Sequence, residues 1–113
     1  MVYNMIMIIQ KTEEFDKWFK KLRDVRAKAQ IDLRMRRIKT TGNLGDHKSL
    51  GEGIGELRFS CGPGYRIYFA QRGDVVILLL NAGDKSTQQR DIEKARKLNV
   101  EYQRKGGSNE NSN

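Results

Sequence analysis

The residues best suited to chemistry lie between Gly55 and Gln88, GELRFSCGPGYRIYFAQRGDVVILLLNAGDKSTQ. Side chains alternate across a strand with a period of two. In a strand around Tyr65–Gln71, Arg66 and Tyr68 therefore share one face while Tyr65, Ile67 and Phe69 share the other. In a preceding strand around Glu56–Ser60, Leu57 and Phe59 go to the core and Arg58 projects with Arg66. Lys85 follows the third strand, where it reaches the rim of the same surface. Three cations with an aromatic between them suit a phosphate to be clamped and a base to be stacked. A plainer reading pairs Arg58 and Arg66 with Glu56, Asp84 or Asp91 to hold the hairpins together. His47 and Lys48 lie on a glycine-rich stretch and join the set if that stretch folds over the sheet, where a histidine titrates near neutrality.

Other chemistries are poorly served. Cys61 is the one cysteine, so one chain can form no internal disulfide and no cysteine-based zinc site. It has no basic neighbour to make it a nucleophile. Arg72-Gly73-Asp74 reads as a turn. No cofactor and no small-molecule ligand is implied. The 113 residues fit one small domain, 1–105, with a polar tail, 106–113, expected to be disordered. A formal net charge of +8 favours a polyanionic partner or an acidic protein. MVYNMIMIIQ has no basic flank and falls well short of the roughly 18 apolar residues of a spanning helix, so the expectation is a cytoplasmic protein without an export signal or membrane contact.

Positioning elements are legible around these residues. Met5 to Gln10 reads as a first strand. Thr12 offers an N-cap for a helix with Phe15, Trp18, Phe19 and Leu22 on one stripe. Asp24 caps a second helix carrying Ala27, Ile31, Met35 and Ile38 as far as Gly42, and the two form a hairpin. Eleven basic and five acidic residues between Lys11 and Lys39 read as a solvated helix surface, with electrostatic steering as the alternative. TGNLGDHKSLGEGIG, from Thr41 to Gly55, reads as a loop. Turns at Gly62-Pro63-Gly64 and Arg72-Gly73-Asp74 separate three strands, the last of them, VVILLL, apolar throughout as a strand covered on both faces would be. Ser86 with Gln89 matches a capping box for a final helix carrying Ile92, Ala95, Leu98 and Tyr102. The fold class is α+β: a mostly antiparallel sheet, built as a three-stranded C-terminal meander plus an N-terminal strand, with an N-terminal helical hairpin and a C-terminal helix.

Glu56-Leu57-Arg58, Gly62-Pro63-Gly64-Tyr65-Arg66-Ile67-Tyr68-Phe69 and Gly83-Asp84-Lys85-Ser86-Thr87-Gln88 with Asp91-Ile92 resemble the signature of the HigB-like addiction module killer proteins in the RelE/ParE toxin superfamily. The resemblance runs from about Ile8 to Leu98. It implies the toxin of a type II toxin–antitoxin pair, held inactive by a cognate antitoxin of helix-turn-helix type. Members similar to RelE and HigB cleave mRNA on the ribosome without a metal, and members similar to ParE poison DNA gyrase. A basic RNA-binding module without catalysis is a third reading. For cleavage, the 2′-hydroxyl attacks the adjacent phosphate. Arg66 and Arg58 would then clamp that phosphate, Lys85 would assist the leaving oxygen, and Lys48, His47 or Tyr68 would take the proton. Asp91 stands where RelE-like enzymes place a tyrosine.

Overall fold

The protein is described by a computed structural model covering residues 7–74 and 76–112, the last seven of these by backbone alone. The elements follow in the order β1 (Ile8–Lys11), α1 (Glu13–Lys21), α2 (Val25–Thr41), β2 (His47–Gly51), β3 (Ile54–Arg58), β4 (Tyr65–Arg72), β5 (Val76–Asp84) and α3 (Gln88–Ser112). One five-stranded sheet has the order β1-β5-β4-β3-β2. β1 pairs parallel with β5, and every other pairing is antiparallel. This is the expected α+β architecture, with one strand more than the expected meander. Met5 and Ile6 of the expected first strand lie outside the described residues.

The helical hairpin forms where the caps place it. Thr12 is buried; its Oγ1 accepts from Phe15 N–H at 3.0 Å and donates to Leu80 C=O at 2.5 Å, fastening the start of α1 to β5. Asp24 Oδ1 accepts from Ala27 N–H at 3.0 Å, and α2 ends at Gly42, whose left-handed φ of 74° lets its N–H reach Ile38 C=O. Phe15, Ile31 and Ile38 meet Leu57, Phe59, Ile67, Phe69, Ile77 and Leu79 in the larger core beneath the hairpin.

α3 crosses the opposite face of the sheet. Ala95, with Ile92, Leu98 and Tyr102 beside it, packs on Ile54, Tyr68, Ala70, Leu78 and Leu80. Successive residues of Ile77–Leu80 thus alternate between two cores, which explains the unbroken apolar run. The face expected to be open is therefore covered for most of its length. α3 approaches β5 closely at Gly83, where a Cβ would stand 1.9 Å from Asp91 Oδ2. Asp84, not Ser86, caps the 3-10 turn Lys85–Thr87 that leads into α3, because its carboxylate accepts from Ser86 N–H at 2.8 Å and from Ser86 Oγ at 2.5 Å. The α3 backbone runs on through the tail expected to be disordered, as far as Ser112, with no proline after Pro63 to break it.

The stretch read as a loop contains β2. His47–Gly51 pairs with β3 and returns through Gly51-Glu52-Gly53, three consecutive residues at positive φ. An edge strand held by main-chain pairing, with four of five residues exposed, has no apolar alternation to announce it. Among the described residues no helix is long and apolar enough to cross a membrane.

Candidate functional site

Arg58 ends β3, Arg66 is the second residue of β4, and the register makes them direct cross-strand partners. Like charges set opposite one another repel. The repulsion is offset from beneath by Glu56, two residues earlier on the same face and wholly buried. Glu56 Oε2 accepts from Arg58 Nε at 3.2 Å, and its Oε1 accepts from Gln88 Nε2 at 2.7 Å at the start of α3. Arg58 keeps 34% of its side chain exposed, and neither Nη group has a partner among the described residues. Arg66 donates from Nη1 to Tyr65 C=O at 3.1 Å, while its Nε is buried with no acceptor. Together with Lys85, Asp46, Phe59, Ser60 and the Gly62-Pro63-Gly64 turn, the two arginines line an open groove of about 510 Å³ at the end of the sheet that α3 leaves uncovered.

Lys85 stands exposed at the rim, and among the described residues neither it nor Arg66 makes an ion pair. Among the described residues the Arg58–Glu56 contact is the one ion pair that reaches the groove, and with the Asp46 carboxylate also in the lining the three cations still leave a net positive charge. Such a site can hold an anion through charge-assisted hydrogen bonds and favour a transition state that gathers negative charge. The described residues contain no group of three or more His, Cys, Asp and Glu side chains able to hold a metal ion.

The structure brings together Arg58, Arg66 and Lys85 from the expected set and separates the rest. Tyr68 does share a face with Arg66, as alternation requires, but α3 covers it and leaves it 0% exposed. Its hydroxyl lacks a partner of good hydrogen-bond geometry, although Glu56 lies close enough to influence it. Burial pushes the phenol far above its ordinary pKa, the charges of Glu56 and Asp91 add to the rise, and Arg66 opposes it. Tyr68 thus neither stacks a base nor supplies a phenolate. His47 pairs in register with Leu57 and so faces the hairpin side; its Nδ1 lies 2.8 Å from Gly45 C=O, and it lines a different hollow with Phe69 and Gln71. Lys48 is exposed opposite Glu56, on the same face as Arg58, but outside the groove lining. Cys61 is partly exposed beside the turn.

Three supports went unread in the sequence. Arg34 of α2 donates from Nη1 to Leu44 C=O at 3.1 Å and Asp46 C=O at 3.2 Å, and from Nη2 to Arg58 C=O at 2.8 Å, with its guanidinium 4.4 Å over the Phe59 ring. It fixes from behind the backbone that carries Arg58. Burial lowers its pKa, with Asp46 opposing and Arg37 reinforcing the shift. Its place beside the Ile31–Met35–Ile38 stripe was the available signal. Tyr65 donates from Oη to Asp24 Oδ2 at 3.3 Å and meets Trp18 edge-on at 5.9 Å, tying the mouth of the groove to the hairpin. Burial, followed by the charge of Asp24, raises the Tyr65 pKa. Gln88 closes the Gly83-Asp84-Lys85-Ser86-Thr87-Gln88 signature, but nothing in its type marked the contact with Glu56.

No protein-family model matches the chain. Among solved structures, the fold is similar to a double arginine-to-alanine mutant of the Escherichia coli toxin RelE in the free state, with a TM-score of 0.66 and 16% identity over 82% of this chain and 98% of that one. It is likewise similar to the intact E. coli RelBE toxin–antitoxin complex, with a TM-score of 0.58 and 16% identity over 69% of this chain and 95% of that one. At that identity the likeness establishes the fold. An uncharacterized protein of Haemophilus influenzae is 47% identical over 94 residues, covering 83% of this chain and 94% of its own length. The chain therefore belongs to one family with that Haemophilus protein and is built on the RelE fold.

Proposed function

We propose that this protein is the toxin of a type II toxin–antitoxin pair, HigB-like in kind, and that it inhibits translation by cutting mRNA on the ribosome without a metal. The observation that carries the reading is the convergence of Arg58, Arg66 and Lys85 on one groove, with donors lacking protein partners, at the uncovered end of a RelE-like sheet. A tetrahedral RNA phosphate suits it. Arg66 and Arg58 hold the non-bridging oxygens and stabilise the added negative charge as the 2′-hydroxyl attacks; Lys85 assists the departing 5′-oxygen. Lys48, exposed on the same face as Arg58 though outside the groove lining, is the remaining candidate to take the 2′-hydroxyl proton, since Tyr68 is buried and His47 faces the other way. A cognate antitoxin with an acidic segment would complement the basic groove, and the RelBE complex provides the fold-level analogy.

A second reading is a ParE-like block of DNA gyrase that needs no acid or base. The observation in its favour is that the groove lining contains no histidine and no tyrosine. Purified protein added to ribosomes translating a defined mRNA separates the two. Cuts within codons, leaving 2′,3′-cyclic phosphate and 5′-hydroxyl ends, support cleavage; intact mRNA with lost gyrase supercoiling supports the alternative.

A further inference from the structure

We propose that Glu56 is a positioning residue that aims the Arg58 guanidinium at the phosphate and links that aim to the first turn of α3 through Gln88. The inference rests on the cleavage reading for its catalytic consequence, but its geometry stands by itself. Glu56 is 0% exposed and both its oxygens are engaged, so it can neither reach a substrate nor serve as a base. Its contact with Arg58 uses Nε alone. Among the described residues that leaves both Nη groups without a partner in a side chain that lines the groove, the arrangement a two-pronged contact with a phosphate needs.

Stability alone does not account for a carboxylate here. Burying a carboxylate is costly even when it is paired, and an apolar side chain of similar volume often serves as well or better. The same face of the same strand accepts one two residues earlier, where Ile54 is buried in the core under α3. What an apolar residue would not do is orient an arginine that otherwise faces Arg66 across the strand pair. Gln88 adds the second tie at 2.7 Å, so a shift of the α3 start reaches the clamp through one side chain.

Glu56→Gln keeps the shape and removes the charge, and Gln88→Ala removes the tie to α3 without altering the buried strand. Thermal unfolding first establishes that both variants are folded. In ribosome-dependent cleavage, Glu56→Gln should lower kcat by roughly 10²-fold, the scale of a misplaced catalytic group, with KM unchanged or lower because a negative charge is gone. Gln88→Ala should shift kcat in the same direction by less. Adding Glu56→Gln to Arg58→Ala should cost nothing further. Full additivity in that cycle, or an unchanged kcat for a folded Glu56→Gln, overturns the proposal. Nitrogen NMR of the Arg58 Nε–H judges the link without any cleavage. The signal should exchange slowly in the wild type and quickly in Glu56→Gln; fast exchange in both overturns the positioning. A wild type that cuts no mRNA but shows the protected Nε–H refutes the cleavage reading and leaves the Glu56–Arg58 link standing.

Discussion

The two faces of the sheet are built on different terms. Beneath the hairpin, Phe15, Ile31, Ile38, Leu57, Ile67 and Phe69 make an apolar core, with polar groups such as Thr12 kept to its border and hydrogen-bonded. Beneath α3 the apolar cluster is smaller, and buried Glu56, Asn81, Asp91 and Asn99 lie around it. Arg66 Nε, Tyr68 Oη, Arg72 Nε and Asn81 Oδ1, the four buried side-chain atoms without a partner among the described residues, all sit on this second face, which β4 and its register with β5 define. Unmet polar groups in a core cost free energy. The hairpin face carries the burden of folding, and the α3 face tolerates unfavourable groups where the cations are assembled.

Breaking the first face should unfold the protein. Ile67→Ala removes a fully buried side chain from the hairpin core and is expected to cost about 2–5 kcal/mol in chemical denaturation, a large share of a small domain's stability. Breaking the second at its functional end should do the reverse. Arg66→Ala is expected to lower ribosome-dependent cleavage by roughly 10²–10³-fold while the unfolding midpoint changes little, because the substitution also removes a buried donor that has no acceptor. Undiminished cleavage by folded Arg66→Ala removes it from the phosphate clamp.

The hairpin face was the more legible of the two. Thr12 and Asp24 cap where their types say they should, and the 3.6-residue stripe from Phe15 to Leu22 and the period of two in Leu57, Phe59, Ile67 and Phe69 converge on one core. Pattern also sorted Arg58, Arg66 and Tyr68 onto a common face. It could not say what covers that face, because the apolar positions of α3 identify a helix and not the surface it lies on. Tyr68 was misread for that reason alone. β2 was missed because His47-Lys48-Ser49-Leu50-Gly51 is held by backbone pairing, which leaves no mark in side-chain type. Arg34, Glu56 and Gln88 act across 24 to 32 positions of chain, and such contacts become visible once the fold brings the ends together.

A smaller effect tests how α3 is fastened. Asp84→Ala should destabilise the turn into α3 by about 1 kcal/mol, the usual worth of a cap. The hydrogen bonds from Ser86 hold the Asp84 carboxyl below its ordinary pKa, with burial opposing them. A carboxylate whose folded pKa is depressed stabilises above its unfolded value near 4 and loses that contribution as pH falls through the folded one. The difference between wild type and Asp84→Ala should therefore be full at neutral pH and shrink in acid. Urea unfolding of both proteins at pH 7 and in the acid range measures it; a difference that grows in acid removes Asp84 from the cap.

The smallest expected effect is the sharpest test of the contrast between the faces. Tyr68→Phe deletes one hydroxyl that is fully buried and lacks a good partner, and leaves the ring packed against Leu78, Leu80 and Ala95. On the hairpin face, removing a satisfied polar group such as the Thr12 hydroxyl would forfeit two hydrogen bonds; here there is little bonding to lose and a desolvation cost to recover. Stability should stay within about 0.5 kcal/mol of the wild type or rise. Cleavage should also be retained, since burial keeps the phenol from the groove and its raised pKa keeps it protonated at neutral pH. A loss of activity near that of Arg66→Ala, with folding intact, would mean that α3 uncovers Tyr68 when substrate binds. The α3 face would then be a surface that opens during the reaction, and the phenol would return to the list of catalytic groups.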